Sequence, residues 1–207
     1  SMGTTKGNSA IVHGGYAEPN SKLKGRLCYQ GRKQFKQLDS ELHFGYKQIG
    51  SIVLGFKDSD LEGLNRLMKN GKANGLTDLK ILNKQEIKKI EPNISDEALF
   101  GLYCEGAGIC SPYELTIALA ENALTNGCEV KLRAKVDEVS KSGSGYNLKT
   151  EAGDVYCTKF VINAAGLDSE KIARMVGACN YSLHPRSGEY LVFKHGSGSI
   201  IKHVLFQ

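Results

Sequence analysis

The sequence predicts a mixed α/β fold in which a run of closely spaced strands follows a series of alternating strands and helices. Three stretches carry that reading. Phe160-Val161-Ile162 is an uncharged, β-favouring triplet, followed by Asn163-Ala164-Ala165-Gly166 and then a helical pattern to Gly177. It predicts a strand buried on both faces, a small-residue turn and a helix. Residues 135–140, 146–150 and 155–157 are short strand patterns separated by Gly-Ser-Gly and Ala-Gly-Asp turns, which predict a β-meander. Between residues 22 and 126 apolar spacings of 3.6 alternate with short β-favouring runs.

In chain order, residues 3–15 form a Gly/Thr/Asn/Ser loop running into Ala10-Ile11-Val12 and then His13-Gly14-Gly15-Tyr16. Small hydroxyl and amide side chains beside glycines suit a surface that wraps a polar ligand, and equally a solvated loop. His13 is either a hydrogen-bonded structural residue or a proton-transfer group. Leu23, Leu27, Phe35, Leu38 and Leu42 fall at helical spacing, with Gly25 and Gly31 as points of kinking or close packing. Residues 49–56 predict a strand with bulges at Gly50 and Gly55. Ser59 and Glu62 have capping-box spacing for a helix over 58–70, packed through Leu61, Leu64, Leu67 and Met68 and ended by Gly71. A strand over 79–82 follows. Asn83 and Glu86 repeat the box for a short helix that Pro92 stops. Residues 98–104 predict another strand.

Gly106-Ala107-Gly108-Ile109-Cys110-Ser111, with Glu129 about 20 residues on, imitates a dinucleotide-binding fingerprint. The chemistry argues against it. Ser111-Pro112-Tyr113-Glu114 reads as a capping box with Pro at the first helical position. Its glutamate would occupy the amides a pyrophosphate needs. The predicted helix, 112–126, packs through Leu115, Ala118, Leu119 and Ala123 and ends at Gly127. Residues 129–132 predict a strand before the meander. At residues 160–166 the same spacing serves an ordinary buried strand–helix unit or a turn closely approached by a cofactor. Asp168 or Ser169 caps the next helix, Ile172, Ala173 and Val176 form its inner stripe, and Gly177 is its C′ residue. Pro185-Arg186-Ser187-Gly188-Glu189-Tyr190 then opens a strand through Phe193.

A chain of 207 residues fits one large or two small domains, and 41% hydrophobic with 24% charged residues is an ordinary globular balance. The net charge of +5 is scattered, which disfavours nucleic acid as a partner. No apolar run approaches the ~20 residues of a membrane span. The six cysteines show no zinc spacing, so no metal is expected; they read as reduced, mostly buried thiols of a cytoplasmic protein. Ser1-Met2 reads as a vector scar. The polar start and the apolar Val204-Leu205-Phe206-Gln207 end suggest a piece of a longer polypeptide.

Several stretches together resemble one family. They are residues 3–16, Ile49-Gly50-Ser51, Asn74-Gly75, Glu91-Pro92-Asn93, Ser111-Pro112-Tyr113-Glu114, Glu121-Asn122-Ala123, Val161-Ile162-Asn163-Ala164-Ala165-Gly166 and Pro185-Arg186-Ser187-Gly188-Glu189-Tyr190. In this order the chain resembles FAD-dependent oxidoreductases of the D-amino-acid-oxidase-like superfamily. It is most similar to the FAD-dependent glycerol-3-phosphate dehydrogenases and the L-2-hydroxyglutarate oxidases.

The resemblance implies a partial FAD-binding, Rossmann-like domain with the β-meander (1–20 and 127–180) and a truncated, mixed-sheet substrate domain (21–126 and 181–207). The family's G-x-G-x-x-G unit would lie upstream, so FAD is expected in the full-length protein and weakly or not at all in this fragment. It also implies roles. Thr4, Thr5, Asn8 and Ser9 would line FAD, Val136 would meet its adenine end through the backbone, and Ala164, Ala165 and Gly166 would pass close to the dinucleotide. His13 would be the base and Arg186 the cation for an anionic substrate. The implied reaction oxidises a small anionic secondary alcohol, sn-glycerol 3-phosphate to dihydroxyacetone phosphate. The alternatives are a 2-hydroxy acid such as L-2-hydroxyglutarate, an amino acid, or a non-catalytic scaffold role. The glycerol-3-phosphate enzymes carry an arginine after His-Gly-Gly, and here Tyr16-Ala17 follow. The resemblance leaves the electron acceptor and any peripheral membrane association open.

Overall fold

In the computed structural model, which describes residues 3–207, the elements run in this order. They are β1 (Ile11–Val12), α1 (Leu23–Leu42), β2 (Lys47–Gln48), β3 (Ser51–Gly55), α2 (Asp60–Ala73), β4 (Leu79–Asn83), α3 (Lys84–Ile90), β5 (Phe100–Cys104), β6 (Gly108–Ile109) and α4 (Pro112–Thr125). Then come β7 (Val136–Ser142), β8 (Gly145–Thr150), β9 (Val155–Thr158), α5 (Ser169–Met175) and β10 (Val204–Phe206). The chain divides into two compact units, Ser1–Asn122 with Val192–Gln207, and Ala123–Leu191.

The first unit is built on a mixed four-stranded sheet in the order β10-β3-β5-β4. β10 runs parallel to β3, and the other pairs are antiparallel. The period-2 alternation sends Leu102 and Cys104 towards α2, where they meet Leu64, Leu76 and Tyr16. The opposite face packs Leu82 against Ile87 of α3, with Leu54, Tyr103 and Leu205 beside them. Ile52, Ile87 and Leu102 are fully buried, each contributing about 1.5–3 kcal/mol. Gly101 makes this possible, because a Cβ there would sit 2.8 Å from Ile52 Cγ2 and 3.1 Å from Ile87 Cδ1. A second, three-stranded sheet, β1-β6-β2, is antiparallel throughout. Its central Gly108 lies where a Cβ would fall 2.4 Å from the Lys47 carbonyl. The glycines that imitate a dinucleotide fingerprint therefore serve sheet packing. Gly106 likewise donates its N–H to Asp78 (2.8 Å), whose carboxylate pairs with the nearly buried Arg32 guanidinium at 3.0 Å.

Local signals account for most helix ends. The Asn83–Glu86 capping box is formed in both directions. Ser111 Oγ accepts from Glu114 N–H at 3.3 Å, with Pro112 opening α4. Gly127 and Gly177 lie at positive φ and close Schellman-type ends on α4 and α5.

Other expectations are corrected. Ser59 makes no cap bond; the Asp60 carboxylate instead accepts from the amides of Phe56 and Lys57. Gly71 lies within α2, where a Cβ would meet Leu79 Cδ1 at 2.2 Å, and the helix closes through Gly75. α1 runs unbroken through Gly25 and Gly31, so of the two alternatives for these glycines close packing holds, at Gly25 and not at Gly31. Gly25 packs against Pro19, whereas Leu23 and Leu27 are exposed. β3 pairs with β5 in unbroken register from Ser51 to Gly55, so Gly55 is not a bulge, and Gly50 (φ +73°) lies just before the strand. No residue of α4 is buried, and Leu119 is exposed. Asp168 and Ser169 make no side-chain cap on α5.

The second unit carries the expected meander, β7-β8-β9, antiparallel with one irregularity between Val136 and Glu138. α5 packs on β7 and buries Ala173, with Ile172 and Val176 half-buried. Three expected strands are not formed. Residues 160–162, 129–132 and 190–193 lack strand structure, and Phe160, Ile162 and Leu132 are 83%, 92% and 83% exposed. Apolar, β-favouring composition does not make a strand without a neighbour to complete its hydrogen-bond ladder. Among the described residues none pairs with these segments. All six cysteines are free. Only Cys104 is buried, and Cys128 and Cys157 are exposed, so the expectation of mostly buried thiols fails. Among the described residues no helix is long and apolar enough to cross a membrane.

Candidate active site

His13 leaves β1 at the start of a tightly supported turn. A Cβ on Gly14 would lie 2.6 Å from Cys104 Sγ, and one on Gly15 (φ +104°) would lie 3.1 Å from the backbone of Tyr29. Only glycine tolerates both constraints. The buried Asn74 side chain donates to the carbonyls of Gly15 (2.8 Å) and Glu18 (2.9 Å). Tyr16 is buried and its hydroxyl pairs with Ser51 Oγ at 3.1 Å. Burial pushes the Tyr16 phenol up to about 12, so it stays neutral.

On this base His13 opens onto a cavity of about 330 Å³, whose walls include Tyr16, Glu18, Lys24, Gly25 and Cys28. One face of the imidazole stacks on Phe206, with centroids 5.8 Å apart and planes at 24°. Its proton affinity is lowered, first by burial and then by the charge of Lys24. The ring is therefore neutral at pH 7 and able to accept a proton. Cys28 donates its thiol to the His13 carbonyl at 3.9 Å, and burial raises its pKa, which keeps it a thiol.

Phe206→Ala uncovers one face of the ring. The His13 titration midpoint is then expected to rise towards 6.5, read by NMR of the ring protons in this chain. An unmoved midpoint would mean that the stack does not contribute to its burial.

Thr4, Thr5, Asn8 and Ser9 lie in the exposed loop that precedes β1. Asn8 organises it, donating to the carbonyls of Thr4 (3.2 Å) and Thr5 (2.7 Å) and accepting from Ala10 N–H (2.8 Å). These four residues do not line the His13 cavity.

In the second unit, Val136, Ala164 and Ala165 come together in one cleft of about 390 Å³. Val139, Leu148 and Ile172 supply further apolar wall, and Lys135 and Lys171 supply charge. Gly166 (φ +58°) continues the turn with open space where a Cβ would be. Asn163 pins the turn, donating to Ser169 O at 2.7 Å and accepting from Ala165 N–H at 3.3 Å. Asp168 lines the same cleft, and both lysines are paired, Lys135 with Glu151 and Lys171 with Asp137 at 3.7 Å; the aliphatic walls and the turn without bulky side chains leave room for a flat ring system. Arg186 belongs to this unit, in an exposed segment without regular structure, and makes no ion pair among the described residues.

Three residues escaped the sequence reading. Lys24 looks like one more lysine on the polar face of α1. Phe206 sits in an apolar triplet whose only signal is β-propensity. Glu91 was visible only as part of Glu-Pro-Asn. It is fully buried and accepts from the amides of Lys202 (2.9 Å) and His203 (3.0 Å) and from His203 Nδ1 (2.9 Å). It thereby fixes the approach to β10, the strand that carries Phe206.

Sequence comparison places this mixed fold in the class of cofactor-dependent oxidoreductases. A model of the FAD dependent oxidoreductase family matches residues 1–206, and the chain belongs to that family. A glycerol 3-phosphate dehydrogenase from Caloramator mitchellensis is 41% identical over 204 residues, covering 99% of this chain and 42% of the relative. A mitochondrial L-2-hydroxyglutarate dehydrogenase from Nematostella vectensis is 29% identical over 218 residues, covering 98% and 47%. The dithionite-reduced L-alpha-glycerophosphate oxidase from Mycoplasma pneumoniae, with FAD bound, superposes with a TM-score of 0.79 at 26% identity. That match covers 84% of this chain and 47% of the other. The chain thus spans less than half the length of these relatives.

Proposed function

We propose that this chain is the part of a flavin-dependent dehydrogenase or oxidase that carries the substrate base and one end of the FAD site. Its substrate is a small anionic secondary alcohol, foremost sn-glycerol 3-phosphate, oxidised to dihydroxyacetone phosphate. The observation that carries the reading is the placement of His13, which follows β1, stacks on Phe206 and faces a small cavity that it shares with Lys24. His13 accepts the hydroxyl proton as the carbinol carbon gives up its hydride. When bound, FAD supplies the hydride acceptor. Thr4, Thr5, Asn8 and Ser9 present hydroxyl and amide groups to the flavin. Val136, Ala164, Ala165 and Gly166 hold the adenosine end, and Arg186 meets substrate charge. Functionally, residues 1–20 and 127–180 serve FAD, and 21–126 and 181–207 serve the substrate. This division follows ligand contact, so the first loop serves FAD although it packs in the first compact unit. The isolated chain binds FAD weakly or not at all, and the enzyme works in the cytoplasm, in solution or on a membrane surface.

The names of the relatives agree with this reading, a glycerol 3-phosphate dehydrogenase at 41% identity above all. A 2-hydroxy acid is the second reading. It is favoured by Tyr16, which stands after His-Gly-Gly and is buried against Ser51, so it offers no charge to a phosphate. The test is anaerobic mixing of the full-length flavoprotein with sn-glycerol 3-phosphate, L-2-hydroxyglutarate or amino acids. Bleaching of the ~450 nm flavin band by glycerol 3-phosphate is expected. Bleaching by L-2-hydroxyglutarate alone would shift the assignment to the hydroxy acid, and no bleaching by any would overturn both.

A further inference from the structure

We propose that Lys24 is the residue that binds the anionic end of the substrate in the His13 cavity and so selects charged over neutral alcohols. This rests on the reading of His13 as the base. Lys24 and His13 line the same cavity of about 330 Å³, at the small end of the ~300–1,000 Å³ usual for small-molecule sites.

The balance of charge in the cavity leaves Lys24 unmatched. Glu18 is the one carboxylate among the lining residues, and it is held by Lys22 at 2.8 Å. Tyr16 and Cys28 are kept neutral by burial. Phe206, which covers the His13 ring, brings no charge. Lys24 itself makes no ion pair among the described residues. With His13 neutral, the cavity therefore carries one uncompensated positive charge.

The backbone beneath Lys24 is fixed. It stands in the first turn of α1, and the next residue, Gly25, is packed where a Cβ would come within 2.3 Å of the Pro19 carbonyl. That turn contains no acidic residue and Lys22 gives it no side-chain cap, so nothing on the helix end opposes an incoming anion. A lysine ammonium is a compact charge on a flexible stem and accepts a phosphate ester or a carboxylate equally. That suits a site whose relatives are named for both kinds of substrate. In this arrangement one side chain takes the proton and another, in the same cavity, holds the charged end.

The experiment uses the full-length flavoenzyme and the variants Lys24→Gln, Lys24→Arg and His13→Gln, with sn-glycerol 3-phosphate, neutral glycerol and inorganic phosphate as a competitive probe. Lys24→Gln is expected to raise KM for glycerol 3-phosphate and Ki for phosphate by about tenfold to a hundredfold, the worth of one charge-assisted hydrogen bond. Activity on glycerol should stay within about twofold of the parent, and Lys24→Arg should restore part of the affinity. An unchanged KM and Ki in Lys24→Gln, or an equal loss on glycerol, would overturn the assignment. His13→Gln separates the two readings. If it keeps kcat, the base assignment fails. If it loses kcat while Lys24→Gln binds phosphate normally, only the role of Lys24 fails.

Discussion

Replacing His13 with Gln lowers kcat of the full-length enzyme about 10²- to 10⁴-fold, with a much smaller change in KM. General-base catalysis by a positioned side chain is worth roughly that factor. Glutamine keeps much of the shape and cannot take a proton. The pH dependence gives a second check. Burial and Lys24 both lower the proton affinity of His13, so the imidazole becomes a competent base at a pH below 6.5. The acid limb of kcat/KM should therefore rise below pH 6.5 and be flat through neutrality. Removing the Lys24 charge should move that limb upward, towards 6.5. A profile unaffected by His13→Gln, or a kcat reduced less than about fivefold, would assign proton transfer elsewhere.

The residues that build the fold and the histidine site were unevenly visible in the sequence. β3, β4 and β5, the capped α3 and the meander were legible because short-range signals fix them: alternation, capping spacing and turn residues. α2 was legible as a helix, but its boundary was not. Ser59 and Glu62 match a capping box, yet the neighbouring Asp60 carboxylate captures two loop amides and moves the start of the helix. Phe160-Val161-Ile162 shows the converse. Its composition is that of a buried strand, but burial and pairing depend on a neighbour that no local pattern reveals. β10 makes the same point favourably. Val204–Phe206 pairs in parallel with Ser51–Val53, about 150 residues earlier, a long-range contact that periodicity does not encode.

The candidate site divides in the same way. His13 was visible because two glycines follow it, and the structure explains those glycines by the lack of room for a side chain beside Cys104 and Tyr29. Lys24 and Phe206 had no distinguishing signal. They acquire meaning only from the cavity that the fold closes around His13. Val136 and the Ala164-Ala165 turn were singled out separately through the family resemblance, and their meeting in one cleft, across 27 intervening residues and a meander, is seen only in the structure.

Glu91→Ala is expected to destabilise the first compact unit by about 3–5 kcal/mol, the cost of removing one partner from a buried, hydrogen-bonded polar pair. The carboxylate is fully buried, and one of its oxygens receives all three bonds from Lys202 and His203. Its removal leaves two amides and an imidazole without their acceptor. Glu91→Gln keeps the shape and one acceptor oxygen, so a smaller loss of about 1–3 kcal/mol is expected. The loss should also be directional. Asn93 already holds Ile200 O at 2.7 Å, so the chain just before β10 is tied at two points, and cutting the stronger one frees the strand next to it. Hydrogen exchange at Val204–Phe206 should then speed up more than exchange in β5, and His13 should titrate at higher pH as Phe206 leaves its face. Urea unfolding of Glu91→Ala within about 1 kcal/mol of the parent would show that the carboxylate does not hold β10 in place. A loss spread evenly over all strands would make Glu91 a general core residue with no specific hold on the histidine site.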